Sequence, residues 1–224
     1  MNYTVPMLSR RQILGIGAGV AAGSALAALP STAIAAPAGK GWKGRRSQNG
    51  WSVIGSAQAR TFRIEGTNVD VTLRDGDVAT VLLYVARRFS YEIDMLRSGD
   101  VEGHTTDRHV DAKFESNHLS GTALAIRPLL YPLGASQSTG MSTTERTVIA
   151  DVLADCSGVV AWGGELNPLK ESHFHIDVPP GDARLKELAR RIQGWNDTPG
   201  RGAGTIDAFS PARIERARKA ARSR

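Results

Sequence analysis

The stretch "SNHLSGTALAIR", Ser116 to Arg127, leads a polar turn with one histidine into an alternating apolar run. Ser, Asn and Gly suit the turn, and "TALAIR" has the period-two pattern of a strand. Downstream, "ESHFHID" sets Glu171, His173 and His175 two residues apart. Side chains at that spacing on a strand share a face, so both imidazoles can meet one spot with the carboxylate above them. A lone histidine pair on a strand is usually a hydrogen-bonded surface pair, so the reading depends on how the two stretches combine.

Outward from these strands, "RTFRIEG" and "NVDVTLRDG" read as a first strand pair. "DGDVATVLLYVARRFS" places Val78, Val81, Leu82, Val85 and Phe89 on one helical stripe started by Asp75 or Asp77. "YEIDML" alternates as another strand. "STTERTVIADVLADC" opens with Ser142 and Glu145 in capping-box spacing and is a second helix. "GVVAW" and "HFHIDV" are strands, and "DARLKELARRIQ" is a closing helix after the stop "PPG". Without a strict βαβ rhythm, these elements predict an α+β domain, a small antiparallel sheet with helices packed on it.

"SNHLSGTALAIRPLLYPLGA" followed by "GVVAWGGELNPLKESHFHIDVPPGD" resembles the zinc D-alanyl-D-alanine carboxypeptidases and related cell-wall endopeptidases, which share a fold with the hedgehog amino-terminal domain. The family motif SxHxxGxAxD is matched at Ser116, His118, Gly121 and Ala123, and the family's second-motif histidine falls on His173. The resemblance covers roughly residues 75 to 180. It implies a zinc ion whose bound water is activated for amide hydrolysis of peptidoglycan stem peptides, with a carboxylate as general base.

Two of the four groups that this chemistry needs are replaced. Ala125 stands where the family has a ligating Asp, and Lys170 stands at the base position. Alanine cannot ligate, and lysine is a base only when its pKa is strongly depressed. One reading moves the duties to a tri-imidazole zinc site of His118, His173 and His175, with Glu171 as base. In another, His175 ligates and His173 serves as the acid–base group. The competing reading is a domain that has lost catalysis and binds cell-wall peptides or polymers. Arg108 and Arg127 are candidates to meet a substrate carboxylate, or ordinary surface residues. His104, His109, Glu165 and Asp177 read as loop and surface residues.

The chain begins with Arg10 and Arg11, an apolar run from Ile13 to Leu29 and the small-x-small site Ala33-Ile34-Ala35. This is the pattern of a twin-arginine signal peptide over residues 1–35, and it predicts export to the cell wall or medium with no membrane span after cleavage. A basic linker is expected over 36–50, the peptidase-like domain over 51–195 and a basic, flexible tail over 196–224. Of the net charge of +6, the signal, "GKGWKGRR" and "RIERARKAARSR" carry +2, +4 and +5, which leaves −5 on the middle of the chain. That distribution argues against a nucleic-acid partner and for solvated basic ends. The expected protein is a monomer. Its single cysteine, Cys156, rules out an internal disulfide, and its apolar neighbours suit a buried, inert thiol.

Overall fold

The computed structural model describes residues 40–135 and 139–223. The expected signal peptide, residues 1–35, lies outside the described residues. In chain order the elements are β1 (Lys40–Gly41), β2 (Ala59–Arg63), β3 (Asp70–Arg74), α1 (Asp77–Glu92), β4 (Val101–Glu102), β5 (His109–Val110), β6 (Ala123–Ile126), α2 (Thr143–Asp155), β7 (Val160–Trp162), β8 (His173–Ile176), α3 (Ala183–Asn196) and α4 (Pro211–Arg222). The architecture is α+β. A four-stranded antiparallel sheet in the order β4-β6-β8-β7 lies at its centre, with a β2-β3 hairpin and a short β1-β5 pair beside it.

The two central strands, "ALAI" and "HFHI", are buried at every position. Successive side chains on a strand point to opposite faces, so each strand has two buried faces of different chemistry. Leu124, Ile126, Phe174 and Ile176 join the apolar core with α1, α2 and α3. Ala123, Ala125, His173 and His175 form the other face. Their register puts Ala125 opposite His173, and Ala123 and Ala161 on either side of His175. Directly opposed side chains have Cβ atoms about 4.5–5.5 Å apart, so small alanines leave room for imidazole rings lying across the sheet.

The capping box that the sequence predicts forms at the start of α2. Ser142 Oγ accepts from Glu145 N at 3.3 Å, and Glu145 returns the bond by accepting from Ser142 N at 2.6 Å. Asp182 caps α3 by accepting from Arg184 N at 2.9 Å. The apolar stripe of α1 is buried throughout. Its cap, however, is Gly76 at φ 85 and not an aspartate. Asp75 instead accepts from Gly76 N at 2.8 Å, and Asp77 is the first helical residue, where its charge favours the helix dipole.

Three expectations are corrected. "YEIDML" is not a strand, because α1 runs on to Glu92, whose carboxylate is tied to Arg88 one turn earlier. Residues 40–50 are not a free linker. Ser47, Gln48 and Asn49 bond to the turn that carries His118, and β1 pairs with β5. The basic end is not a free tail, since residues 211–222 form α4, whose Arg213 and Arg216 bind the α2 carboxylates of Asp151 and Asp155.

That last contact completes a buried charge cluster. Arg88 is fully buried and donates to Asp151 and Asp155, each at 2.7 Å. Arg213 reaches the same two carboxylates at 2.8 and 2.6 Å, and Tyr84 donates its hydroxyl to Asp155 at 2.8 Å. Burial works against the charged form of Asp155, yet Arg213, Tyr84, Arg216 and Arg88 together hold it below the ordinary aspartate range. Among the described residues no helix is long and apolar enough to cross a membrane.

Candidate functional site

The motif turn is a 3₁₀ segment, Lys113–Ser120, closed by Gly121 at φ 67. A Cβ at Gly121 would lie 2.7 Å from Arg74 N, so only glycine lets the turn pack on β3 there. The polar residues of the motif are spent on fastening it. Ser116 accepts from Gln48 N at 2.9 Å, and Asn117 accepts from Asn49 N at 3.1 Å while donating to Gln48 at 2.9 Å. Asn49 reaches across and donates to Thr122 and to the Ile176 carbonyl, each at 2.8 Å. The turn and β8 are therefore held together by a segment that carries no recognisable motif.

His118, His173 and His175 are brought together and are all buried. They lie end to end. His118 Nδ1 is 2.8 Å from the Gly103 carbonyl, and its Nε2 is 3.2 Å from His173 Nδ1. His173 Nε2 is in turn 3.2 Å from His175 Nδ1, and His175 Nε2 lies 3.5 Å from Asp177 Oδ1. Phe114 packs on the His173 ring with centroids 4.9 Å apart. Burial pushes the His118 pKa down to about 4; the Gly103 carbonyl acts in the opposite sense, and the Lys170 charge adds to the lowering. His173 is lowered well below the ordinary histidine value by burial first, then by its two histidine neighbours and Lys170. Both rings are therefore neutral at pH 7.

The fit of zinc to these residues can be judged from the nitrogens. At a Zn–N length of about 2.0–2.1 Å, two tetrahedral ligand atoms stand roughly 3.3 Å apart. His118 Nε2 and His173 Nδ1 meet that spacing at 3.2 Å. The third ligand does not follow, because His173 turns its other nitrogen to His175, and one ring cannot offer both nitrogens to a single ion. Ala125, wholly buried opposite His173, offers nothing. Among the described residues no group of three or more His, Cys, Asp and Glu is arranged to hold a metal ion.

The structure does not bring Glu171 to the histidines. The strand starts only at His173, so Glu171 falls in the turn before it. Its buried carboxylate accepts from Met141 N at 2.7 Å and pairs with Arg146 at 2.5 Å. Lys170 donates to Glu115 at 2.6 Å, and Glu115 also accepts from Asp111 N and Ala112 N. Burial opposes the Glu115 charge, but Lys170 and those backbone donors hold its carboxyl below the ordinary glutamate range.

Glu115, Lys170, His118, Gly103, His104 and Asp107 help to line a cleft of about 500 Å³. His104 binds the Ile54 carbonyl at 3.1 Å, whereas His109 is exposed beside Asp111. Arg127 lies away from this cleft and pairs with Asp94 and Asp100, and Arg108 donates to the Trp42 and Gly44 carbonyls. The residues that sequence reasoning missed are Glu115 and the Ser47–Gln48–Asn49 segment. Glu115 had a local signal, its place at the third position of a short helical turn. Compared with protein-family models, with curated proteins and with solved structures, the chain gives no match.

Proposed function

We propose that this chain is an exported peptidase-like domain of the D-alanyl-D-alanine carboxypeptidase type, with a hedgehog-like fold, that binds peptidoglycan stem peptides without cleaving them. The observation that carries this reading is the pair of replacements at the site. Ala125 removes a ligand, and the Lys170–Glu115 ion pair fills the base position with a cation whose charge acts on both His118 and His173. The Lys170 charge acts against positive charge on both imidazoles, and Glu115 offsets part of it at His118. The carboxylate nearest in sequence, Glu171, is already neutralised by Arg146. The cleft remains, with a volume in the range of small-ligand sites.

Sedimentation with insoluble peptidoglycan, followed by mass analysis of the supernatant, tests this. The expected result is co-sedimentation, no released stem fragments, and weaker retention of a Lys170→Ala variant. Release of fragments would overturn it. A second reading, a zinc-dependent peptidase, draws on the 3.2 Å separation of His118 Nε2 and His173 Nδ1. Stoichiometric zinc in the purified protein, together with released fragments, would establish that reading instead.

A further inference from the structure

The end of α3, the loop after it and the start of α4 close over α1 and α2 around a second cavity, of about 430 Å³. It shares no lining residue with the cleft at His118. One wall is apolar. Trp195 packs on the wholly buried Tyr84 with ring centroids 5.5 Å apart, and Ile206 completes that wall. Gly200 and Gly202 line the cavity from the loop, at φ 74 and 96. That backbone conformation admits a side chain only with strain, so none fills the space on this side.

The other wall is rich in hydrogen-bond donors. Arg201, Arg213 and Arg216 line it together with Asp155 and Asp207, three cations to two anions. Asp155 is already saturated by Arg88, Tyr84, Arg213 and Arg216, and Asp207 spends one oxygen on Phe209 N at 2.9 Å. The donors are not exhausted. Arg213 meets its carboxylates through Nε and Nη2, and Arg216 through Nη2, so each keeps an Nη1 group for a further acceptor. Arg201 is exposed, and its guanidinium has no partner among the described residues. Ser210, also on this wall, starts α4 without a side-chain capping bond, and the positive end of the helix dipole adds to the arginines.

Surplus donors beside an apolar wall suit an acceptor-rich head on an apolar body. An arginine fork fits a carboxylate or a phosphate with two parallel bonds, and the volume is in the range of small-molecule sites. We infer that this cavity binds a small organic anion, whose phosphate or carboxylate is held by Arg201 with Arg213 and Arg216 and whose flat apolar body packs on Trp195. The inference stands apart from peptide binding at the His118 cleft.

Isothermal titration calorimetry of the full chain with phenyl phosphate, benzoate and benzyl alcohol tests it. These probes share one ring and differ in the head group. The expected result is saturable one-to-one binding of at least one of the two anions and none of benzyl alcohol; the tighter anion identifies the head group. Arg201→Ala, a change at an exposed loop residue, should weaken that binding by roughly tenfold. Arg190→Ala, in an exposed pair with Glu187, should leave it unchanged. Equal binding of benzyl alcohol, no binding of either anion, full affinity in Arg201→Ala, or an equal loss in Arg190→Ala would overturn the inference.

Discussion

The molecule buries two polar clusters, and they solve the problem of burial in opposite ways. The histidine array lies end to end along a line of single contacts, and burial works against charge on His118 and His173. The cluster around Arg88 is fully charged, with Arg88, Arg213 and Arg216 set against Glu92, Asp151 and Asp155. Three cations meet three anions, so it carries no net charge. A buried neutral group costs little once it is hydrogen-bonded, whereas a buried ion is tolerated only with its partners in place. The array therefore fails when a proton is added, and the charged cluster fails when a member is removed.

The largest expected effect follows from the second half of that contrast. Arg88→Met leaves Glu92, Asp151 and Asp155 sharing only Arg213 and Arg216, both partly exposed. Breaking a buried pair by removing one partner costs about 3–5 kcal/mol. Urea denaturation followed by circular dichroism should show a loss of that size. A loss below about 1 kcal/mol, the level of a surface pair, would mean that the cluster is electrostatically slack.

The next effect separates the two regions along the pH axis. His118 has a folded pKa of about 4 against an ordinary value of 6.5. Between those values the unfolded chain takes up a proton that the folded chain refuses, so stability is complete above 6.5 and falls as the pH drops toward 4. The slope is about 1.4 kcal/mol per pH unit for one such ring, and His173 acts in the same direction. Asp155, lowered by its cations, contributes stability that is present above its ordinary value and is lost only as the pH falls further, through its folded value. Melting temperatures from pH 7 to 4 should fall steadily in the wild type. Replacing His118 by Asn should flatten that fall, while leaving the more acidic loss in place.

These clusters also differ in how far the sequence reveals them. The histidines are visible because turn chemistry and strand periodicity are local. How the rings are joined is not visible, since which nitrogen of His173 faces which neighbour depends on the register of β6 against β8. Glu171 shows the limit of periodicity: the spacing to His173 is right, but the strand begins two residues later and the carboxylate turns to Arg146. Asn49 had no local signal at all, because its partners Thr122 and Ile176 lie 73 and 127 residues away. The charged cluster is hidden likewise. Arg88 and Glu92 have the spacing of an ordinary exposed helix pair, and the basic run of α4 has the composition of a solvated end. Only tertiary packing turns either into core.

The smallest expected effect tests where that cluster ends. Arg213 and Arg216 bind the same carboxylates, but Arg213 is 24% exposed and Arg216 is 44% exposed. Water already screens an arginine that open, and pairs of this kind contribute about 0–1 kcal/mol. Arg216→Ala should therefore lower stability by less than about 1 kcal/mol, and molar salt should remove most of the difference from wild type. Arg213→Ala should cost more and respond less to salt, because Arg213 is itself the less exposed partner of those carboxylates. Equal losses with equal salt dependence would place both arginines on the surface and reduce α4 to a loosely held helix. Unequal ones would make Arg213 the residue through which the basic end of the chain becomes part of the folded domain.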